Sequence, residues 1–406
     1  MNTRQRIVPE MEESLVTADV VAGSVEPDSA PTHGNPQTLA PQLAETYGTP
    51  LLVVDCDEVR RRFRALARAL PNVDLHYAIK AFPNDDVLRV LAEEGAHFEV
   101  ASTGELASLS RLGIDTSACL HTHPVKRVKD IEQALEFGVR RFVFGHSEEL
   151  RKLAPFADDI ELALRVGYRA EQAIVQLANK FGCAPDEAPS LLREAANLGI
   201  KVTGITFHVG SQSLDSSGHV AAIKQATELL NAFPMLTALD IGGGFPVNYE
   251  CPVPAIDDYC APICEALAAI PDHIRIIAEP GRYLVASAVT GVASVMGHAM
   301  RDGKRWYYLD DGVYGSFSGR IYDHARYPLW AAANGCEVEP CVVAGPTCDG
   351  IDIIDDAPAL PRLDTGDLVM SGMMGAYTSA SATSFNDFPK AKIVALNAQR
   401  LRTVED

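Results

Sequence analysis

The chain has 406 residues, 47% of them hydrophobic and 22% charged, a composition typical of a globular protein with room for two domains. Its 35 basic and 54 acidic residues give a net charge of −19, so we expect neither a nucleic-acid partner nor a membrane partner. The apolar stretches are strand-sized and the N-terminus lacks the apolar core of a signal peptide, which favours a cytoplasmic protein. The nine cysteines include no CxxC pair, a usage that fits free thiols in a reducing compartment.

The first 56 residues fall into two parts. Residues 1–41 are rich in Pro, Ser, Thr, Glu and Gly and show little apolar periodicity, so we predict a flexible tail. Residues 42–56 contain a short helical stretch from Gln42 and an apolar strand from Pro50. We expect this second segment to pack against the C-terminal part of the chain.

Strand-like and helical patterns alternate regularly between residues 57 and 285. Eight strands separated by helices predict an α/β fold, a (β/α)8 barrel of the TIM type. A doubly wound open sheet is the alternative, weakened because no GxGxxG motif opens a helix after the first strand. Over residues 286–406 helical periodicity fades, and short strands separated by turns predict a β-rich barrel or sandwich. The predicted barrel strands are 73–80, 97–100, 119–121, 141–144, 162–166, 204–209, 238–241 and 274–278.

The first of these strands ends in Lys80, directly before an Ala-Phe-Pro-Asn-Asp turn. Barrels of this type place their chemistry at the C-terminal ends of their strands. Taken alone, Lys80 is most simply a solvated lysine at a strand edge. The alternative is a lysine that binds an aldehyde cofactor covalently.

Later strand ends carry three further polar groups. His208 could be an ordinary strand-end histidine or a flat ring stacked on a cofactor, and Ser211 could cap a turn or bind phosphate. The glycine run Gly242–Gly244 follows a late strand, where backbone N–H groups can approach a phosphate, although tight turns use glycine too. Glu279 and Arg282 could form a local ion pair or could face a ring nitrogen and a phosphate.

A fourth group lies in the β-rich part of the chain. Cys348 and Asp349 occupy a loop rich in Gly and Pro, and Tyr377 follows a second glycine-containing turn. Cys348 could be a small buried hydrophobe. It could instead be a thiol proton donor beside a carboxylate that grips an amine.

Together these motifs resemble the fold type III pyridoxal-phosphate-dependent decarboxylases over residues 42–400, with the motifs in the family's order. The resemblance implies pyridoxal 5'-phosphate as cofactor, with Lys80 binding it, His208 stacking on the ring and Glu279 facing the pyridine nitrogen. It implies a homodimer in which Cys348 protonates substrate in the neighbouring subunit's site. Glu279 separates the chain from the related alanine racemases, which place an arginine there. The remaining cofactor-binding residues implied are Arg165, Ser211, Gly242, Gly243, Gly244, Arg282 and Tyr377.

Within that family the chain resembles the ornithine decarboxylases. Its Cys-Asp-Gly loop differs from the Cys-Glu-Ser of diaminopimelate decarboxylases. The resemblance implies conversion of L-ornithine to putrescine and carbon dioxide, with Asp323, Asp349, Tyr314 and Phe385 contacting substrate. Lysine or another diamino acid stays open, because one methylene changes binding by only about 1–3 kcal/mol. A diaminopimelate decarboxylase, a racemase-type enzyme and a non-catalytic regulatory homologue are further alternatives.

Three strand ends depart from the ornithine decarboxylase pattern. Glu99 stands where the family usually has Asp, the run from His121 to Pro124 replaces an Asn-Pro pattern, and the run from Gly145 to Ser147 replaces an Asp-Ser pattern. These changes could alter the pocket wall. His121 and His123 lie two residues apart on one strand face, but they lack a third ligand, so we expect no metal site.

Overall fold

The computed structural model describes residues 33–168, 173–175, 179–249, 251–331 and 337–399, so residues 1–32 of the predicted tail lie outside it. Its first helix, α1 (Pro36–Tyr47), begins after Asn35, whose side chain caps it by accepting the Gln37 N–H at 2.9 Å. Residues 36–41 are therefore helical rather than part of a tail. The helix is held by a few buried residues, such as Leu43, that give too weak a periodic signal to be recognised in the sequence.

Eight parallel strands close into a barrel in the order β2-β3-β4-β5-β6-β8-β10-β11, which confirms the predicted fold class. Each predicted strand overlaps an observed one, and the ends differ by at most three residues. Apolar side chains on both faces of the strands are buried, as expected for a parallel sheet covered by helices. The barrel strands are β2 (Val73–Ala78), β3 (His97–Val100), β4 (Leu120–His121), β5 (Arg141–Phe144), β6 (Glu161–Arg165), β8 (Val202–Thr206), β10 (Ala238–Asp240) and β11 (Arg275–Ala278).

Helices connect the barrel strands and cover their outer faces. Asp55 caps α2 and Asn84 caps α3 through side-chain bonds to the first backbone N–H groups, as polar N-cap residues do. A short β-ribbon, β7 (Ala173–Val175) with β9 (Ser211–Ser213), lies beside the barrel. The helices are α2 (Cys56–Ala69), α3 (Asp85–Glu93), α4 (Thr103–Arg111), α5 (Val128–Glu136), α6 (Ser147–Leu153), α7 (Ala188–Asn197), α8 (Ser217–Ala232), α9 (Ile256–Leu267) and α10 (Arg282–Val285).

A separate nine-stranded sheet forms the β-rich part, with β14-β18-β12-β13-β15-β16 as its main path. The early strand β1 (Leu51–Asp55) joins this sheet between β12 and β19, while the limits 57–285 and 286–406 for the two domains stay predictions. No helix among the described residues is long and apolar enough to cross a membrane. The remaining elements are β12 (Val289–Arg301), β13 (Lys304–Leu309), α11 (Gly319–Tyr322), β14 (Leu329–Ala331), β15 (Val338–Ala344), β16 (Ile353–Asp355), β17 (Ala359–Pro361), β18 (Leu368–Ser371) and β19 (Lys392–Leu396).

Candidate active site

A cavity of about 280 Å³ opens at the C-terminal ends of the barrel strands. Lys80 follows β2 by two residues, Arg165 ends β6, His208 follows β8 by two residues, and Glu279 directly follows β11. This edge is where barrels of this type hold their reactive groups. The residues from the sequence prediction that line the cavity are Lys80, Arg165, His208, Ser211, Gly244, Glu279, Arg282, Asp323 and Tyr377.

Lys80 forms an ion pair with Glu99 inside this cavity. Glu99 is 1% exposed, whereas Lys80 keeps 43% of its side-chain surface, which faces the cavity. The hydroxyl of Thr122 donates to the second oxygen of the Glu99 carboxylate. Burial opposes the charge on Lys80, but Glu99 and then Tyr377 raise its pKa above the ordinary value. The amine is thus held protonated, in contact with a carboxylate able to accept its proton.

Glu279 presents a buried carboxylate oxygen, Oε1, that makes no hydrogen bond within the described residues. Burial, followed by the nearby charges of Asp240 and Glu99, raises the pKa of Glu279 well above its usual range. Burial also raises the pKa of Asp240 to about 6, even though it accepts from the Gly242 N–H at 2.9 Å. An orphaned buried oxygen is unfavourable, so the site is built to receive an N–H donor.

His208 is held as a neutral ring. Its Nδ1 accepts the Gly210 N–H at 3.0 Å. Burial, then the charges of Arg165 and Lys80, lowers the pKa of His208 well below its usual range. A neutral ring with Nδ1 as acceptor carries its proton on Nε2. The result is an uncharged flat ring at the cavity wall.

The glycine run leaves no room for side chains. Gly242 and Gly244 have φ values of 68° and 99°, in the left-handed region that favours glycine. A Cβ on Gly242 would lie 2.2 Å from the Phe207 carbonyl oxygen, and one on Gly243 would lie 3.2 Å from the His208 ring. The backbone of the turn therefore packs directly against the segment after β8, and Gly244 lines the cavity.

Arg282 is a buried arginine that lines the cavity. It is 5% exposed, and its Nη2 donates to the Ser211 hydroxyl at 3.0 Å and to Asp323 at 2.7 Å. Its Nη1 donates to the Tyr249 hydroxyl at 2.9 Å, and its guanidinium lies 4.9 Å from the centre of the Tyr377 ring. Arginine, a serine hydroxyl and close glycine amides form a set of donors suited to a phosphate group.

The pocket wall rests on a buried ion pair. The Nζ of Lys126 donates to the carbonyl oxygens of His123 (2.9 Å) and Val143 (2.7 Å) and lies 3.0 Å from Glu149. Burial lowers the pKa of Lys126 to about 8, although Glu149 opposes this shift. His123 and Thr122 both line the cavity, so this lysine fixes the backbone that carries them.

Six predicted site residues do not line the cavity of their own chain: Gly242 and Gly243 in the glycine turn, and four residues of the β-rich part. The Tyr314 hydroxyl donates to Asp349 at 2.5 Å, and the Tyr314 ring stacks on Phe385 with centroids 4.5 Å apart. Cys348 is exposed, and its backbone N–H donates to the Asn386 side chain at 3.1 Å. Within the described part of one chain, none of the four lines the barrel cavity.

Sequence reasoning noted Glu99 only as a departure from a pattern and gave it no role. The signal was available in the strand order, because β2 and β3 are neighbours and Ala78 pairs with Glu99. Tyr249 and Phe181, which also contact the site's arginines, carried no signal in the sequence. His121 is buried against Phe142, with ring centroids 5.6 Å apart, and does not line the cavity.

Comparison with known proteins identifies the family. Residues 56–286 match the family model "Pyridoxal-dependent decarboxylase, pyridoxal binding domain". A lysine/ornithine decarboxylase of Selenomonas ruminantium is 39% identical over 365 residues, which are 88% of this chain and 92% of that protein. The lysine/ornithine decarboxylase of Vibrio vulnificus, solved with cadaverine, is 46% identical with a TM-score of 0.85, covering 89% of this chain and 98% of that one.

An arginine decarboxylase of Paramecium bursaria Chlorella virus, bound to agmatine, is 30% identical with a TM-score of 0.83, covering 88% of this chain and 100% of that one. The chain therefore belongs to the family of pyridoxal-phosphate-dependent decarboxylases that act on basic amino acids. It is an enzyme with pyridoxal 5'-phosphate as its cofactor, as predicted. The pocket fits that cofactor, because it offers a lysine, an orphaned carboxylate for a ring N–H and a set of phosphate donors.

Proposed function

We propose that the enzyme converts L-ornithine to putrescine and carbon dioxide, with L-lysine as its second substrate. The observation that carries this proposal is Asp323, a carboxylate that lines the cavity and uses Oδ2 for its bond to Arg282. Its Oδ1 can accept a hydrogen bond from the compact ammonium of a diamino acid, whereas a guanidinium favours a bidentate carboxylate. The 46% identical Vibrio vulnificus enzyme was solved with both putrescine and cadaverine, which supports the same substrate class.

The chain's own groups divide the work of the reaction. Lys80 supplies the amine that holds the cofactor, and Glu99 takes the proton that this amine must lose. Glu279 supplies the carboxylate for the ring nitrogen, and His208 supports the ring face. When bound, pyridoxal phosphate accepts the electron pair that the departing carboxylate leaves on the α-carbon. Ser211, Arg282, Tyr377 and the Gly242–Gly244 turn hold the phosphate.

We also propose that the working enzyme is a homodimer. Cys348 and Asp349 lie outside the cavity of their own chain, and Cys348 is exposed. In a symmetric pair, this loop of one subunit can complete the pocket of the other. The Cys348 thiol would then return a proton to the substrate's α-carbon, and Asp349 would give the distal ammonium a second carboxylate.

A product assay with L-ornithine, L-lysine, L-arginine and meso-diaminopimelate tests the substrate. We expect carbon dioxide and diamine from the first two, with kcat/KM differing by about 10- to 200-fold in favour of ornithine. A preference for arginine or meso-diaminopimelate, or racemisation without release of carbon dioxide, would contradict the proposal.

The variant Asp323→Asn tests whether Asp323 recognises the distal ammonium of the substrate. It should raise KM for both diamino acids, because the distal ammonium loses its charged acceptor, while the cofactor absorbance stays. An unchanged KM would show that another group reads the ammonium.

A further inference from the structure

The turn Gly242–Gly244 has each of its three carbonyl groups engaged by a separate donor. The first accepts the backbone N–H of Glu279 (2.8 Å), the second the Nε2 of His219 (3.1 Å) and the third the backbone N–H of Ser213 (3.0 Å). Two of these donors are backbone groups of neighbouring segments. The donor to Gly243 is a side chain, so this bond depends on the identity of one residue.

The direction of a carbonyl fixes the direction of the next amide. In a planar trans peptide the C=O of one residue and the N–H of the next point to opposite sides. The bond from His219 to the Gly243 carbonyl therefore aims the Gly244 N–H away from His219. Within the described residues, the amides of Gly243 and Gly244 donate to no protein acceptor, and Gly244 lines the cavity. Adjacent unpaired amides of this kind form an anion-binding nest.

His219 is built to be a neutral donor with one tautomer. It lies on α8 with no exposed surface. A carbonyl only accepts, so Nε2 carries the proton, and Nδ1 then accepts from the Tyr259 hydroxyl at 3.2 Å. Its ring also stacks on Phe245, with centroids 5.4 Å apart. Burial lowers the pKa of His219 to about 4, so the ring is neutral near pH 7.

Tyr259 belongs to α9 and is almost fully buried. Its hydroxyl, the His219 ring and the Gly243 carbonyl form a chain of hydrogen bonds from the outer helical layer to the edge of the cavity. Neither residue touches the cavity itself. Their hydrogen-bonded contact with the site passes through the peptide between Gly243 and Gly244, and both rings also pack against Phe245, which lines the cavity.

We propose that His219, oriented by Tyr259, is a positioning residue that turns the Gly244 N–H toward the phosphate of the cofactor. Without this donor the Gly243 carbonyl is buried and unpaired, and the peptide loses the bond that holds it in the phosphate-binding orientation. The proposal rests on pyridoxal phosphate as cofactor. It assigns to α8 and α9 a function beyond packing.

The test compares the affinity of the apoenzyme for pyridoxal phosphate and for pyridoxal. Both share the same ring and aldehyde, so their ratio isolates the phosphate contribution. The variant His219→Phe keeps an aromatic ring against Phe245 but removes the donor. We expect its Kd for pyridoxal phosphate to rise about tenfold, as for loss of one hydrogen bond to a charged group, while Kd for pyridoxal changes less than about twofold.

Three further variants separate positioning from packing. His219→Gln keeps an N–H that can reach the Gly243 carbonyl and should restore most of the phosphate-dependent affinity. Tyr259→Phe leaves the histidine without its orienting partner and should raise Kd for pyridoxal phosphate by about twofold to fivefold. His76→Phe, at another buried histidine whose ring nitrogens lack partners within the described residues, should change neither Kd.

An unchanged ratio of the two affinities in His219→Phe would overturn the proposal. Equal weakening of both ligands would indicate general damage to the fold, and no weakening of either would show that the phosphate site does not depend on this donor. If His219→Phe does not fold, Tyr259→Phe decides the matter, because an unchanged ratio in that variant is incompatible with an oriented histidine.

Discussion

The barrel mouth and the loop around Cys348 each carry part of one predicted site. The residues at the mouth line a shared cavity, whereas those of the loop lie outside it. At the mouth, Lys80, Glu279 and Arg282 line a cavity within a single chain, and Lys80 and Arg282 have charged partners there. In the β-rich part, Cys348 is exposed, and Asp349 is bonded to Tyr314 outside that cavity. The proposed cofactor-binding groups therefore lie together within one chain, whereas the proposed proton donor and second carboxylate lie apart from them.

The largest expected effect tests this division directly. Lys80→Ala should abolish decarboxylation and the visible absorbance of the bound cofactor, while Cys348→Ala should keep the absorbance and lose most diamine formation. If the two halves come from different subunits, mixing the two inactive variants restores about a quarter of wild-type activity, because half of the dimers then contain one intact site.

The control for that experiment is the double variant carrying both changes on one chain, mixed with wild type. A dimer of one double-variant chain and one wild-type chain has no site that contains both Lys80 and Cys348, if the two residues come from different subunits. If mixing the two single variants restores no activity, Cys348 does not act in the pocket of the neighbouring subunit, and the proposed division of the site between two chains is wrong.

The buried ion pair of Lys126 and Glu149 should contribute more to the free energy of unfolding than an exposed ion pair does. Lys126→Met leaves the buried carbonyls of His123 and Val143 without their side-chain donor and removes one of the two lysines paired with Glu149, so we expect the unfolding free energy to fall by about 3–5 kcal/mol. Chemical denaturation measures this change. The matched control is Arg89→Met, which removes an exposed pair with Asp86 and should cost about 1 kcal/mol or less.

The same lysine gives a pH dependence with a defined sign. Its pKa is about 8 in the folded chain and has an ordinary value of 10.5, so between these values the unfolded chain binds more protons. Stability from this group therefore rises with pH across that window. Lys126→Met should flatten the wild-type slope between pH 8 and 10.5, and an identical slope in both proteins would contradict a buried, partly discharged lysine.

A smaller effect is expected at Glu99. Glu99→Gln removes the charge that raises the Lys80 pKa, so the amine loses its proton at lower pH. The pH dependence of cofactor uptake by the apoenzyme should shift to the acid side, and kcat should fall about tenfold because the proton acceptor is lost. Thr122→Val removes only the hydroxyl that holds Glu99 and should change kcat less. An unshifted uptake profile in Glu99→Gln would show that this carboxylate does not control Lys80.

The sequence predicted the barrel well because each strand is a local apolar run. The strands 97–100 and 141–144 match the structure residue for residue, and Lys80 falls at the predicted edge. The bond from Arg282 to Asp323 joins segments 41 residues apart with no shared local pattern, so it could not be foreseen. His219 was missed for a similar reason, because a single histidine in an amphipathic helix does not reveal which carbonyl it faces.

The pairing of β1 with β19 constrains the order in which the chain can fold during its synthesis. Leu51 lies opposite Lys392 in a parallel register, so the barrel is an insertion between two neighbouring strands of the other domain. During synthesis the ribosome must make all eight barrel strands before β1 can meet β19, a pairing of very high sequence separation. The edge of β1 that pairs with β19 thus stays unpaired until residues 392–396 have been synthesised. A chain stopped before Lys392 could complete its barrel but would leave that edge unpaired, a template for aggregation and a mark for proteolysis.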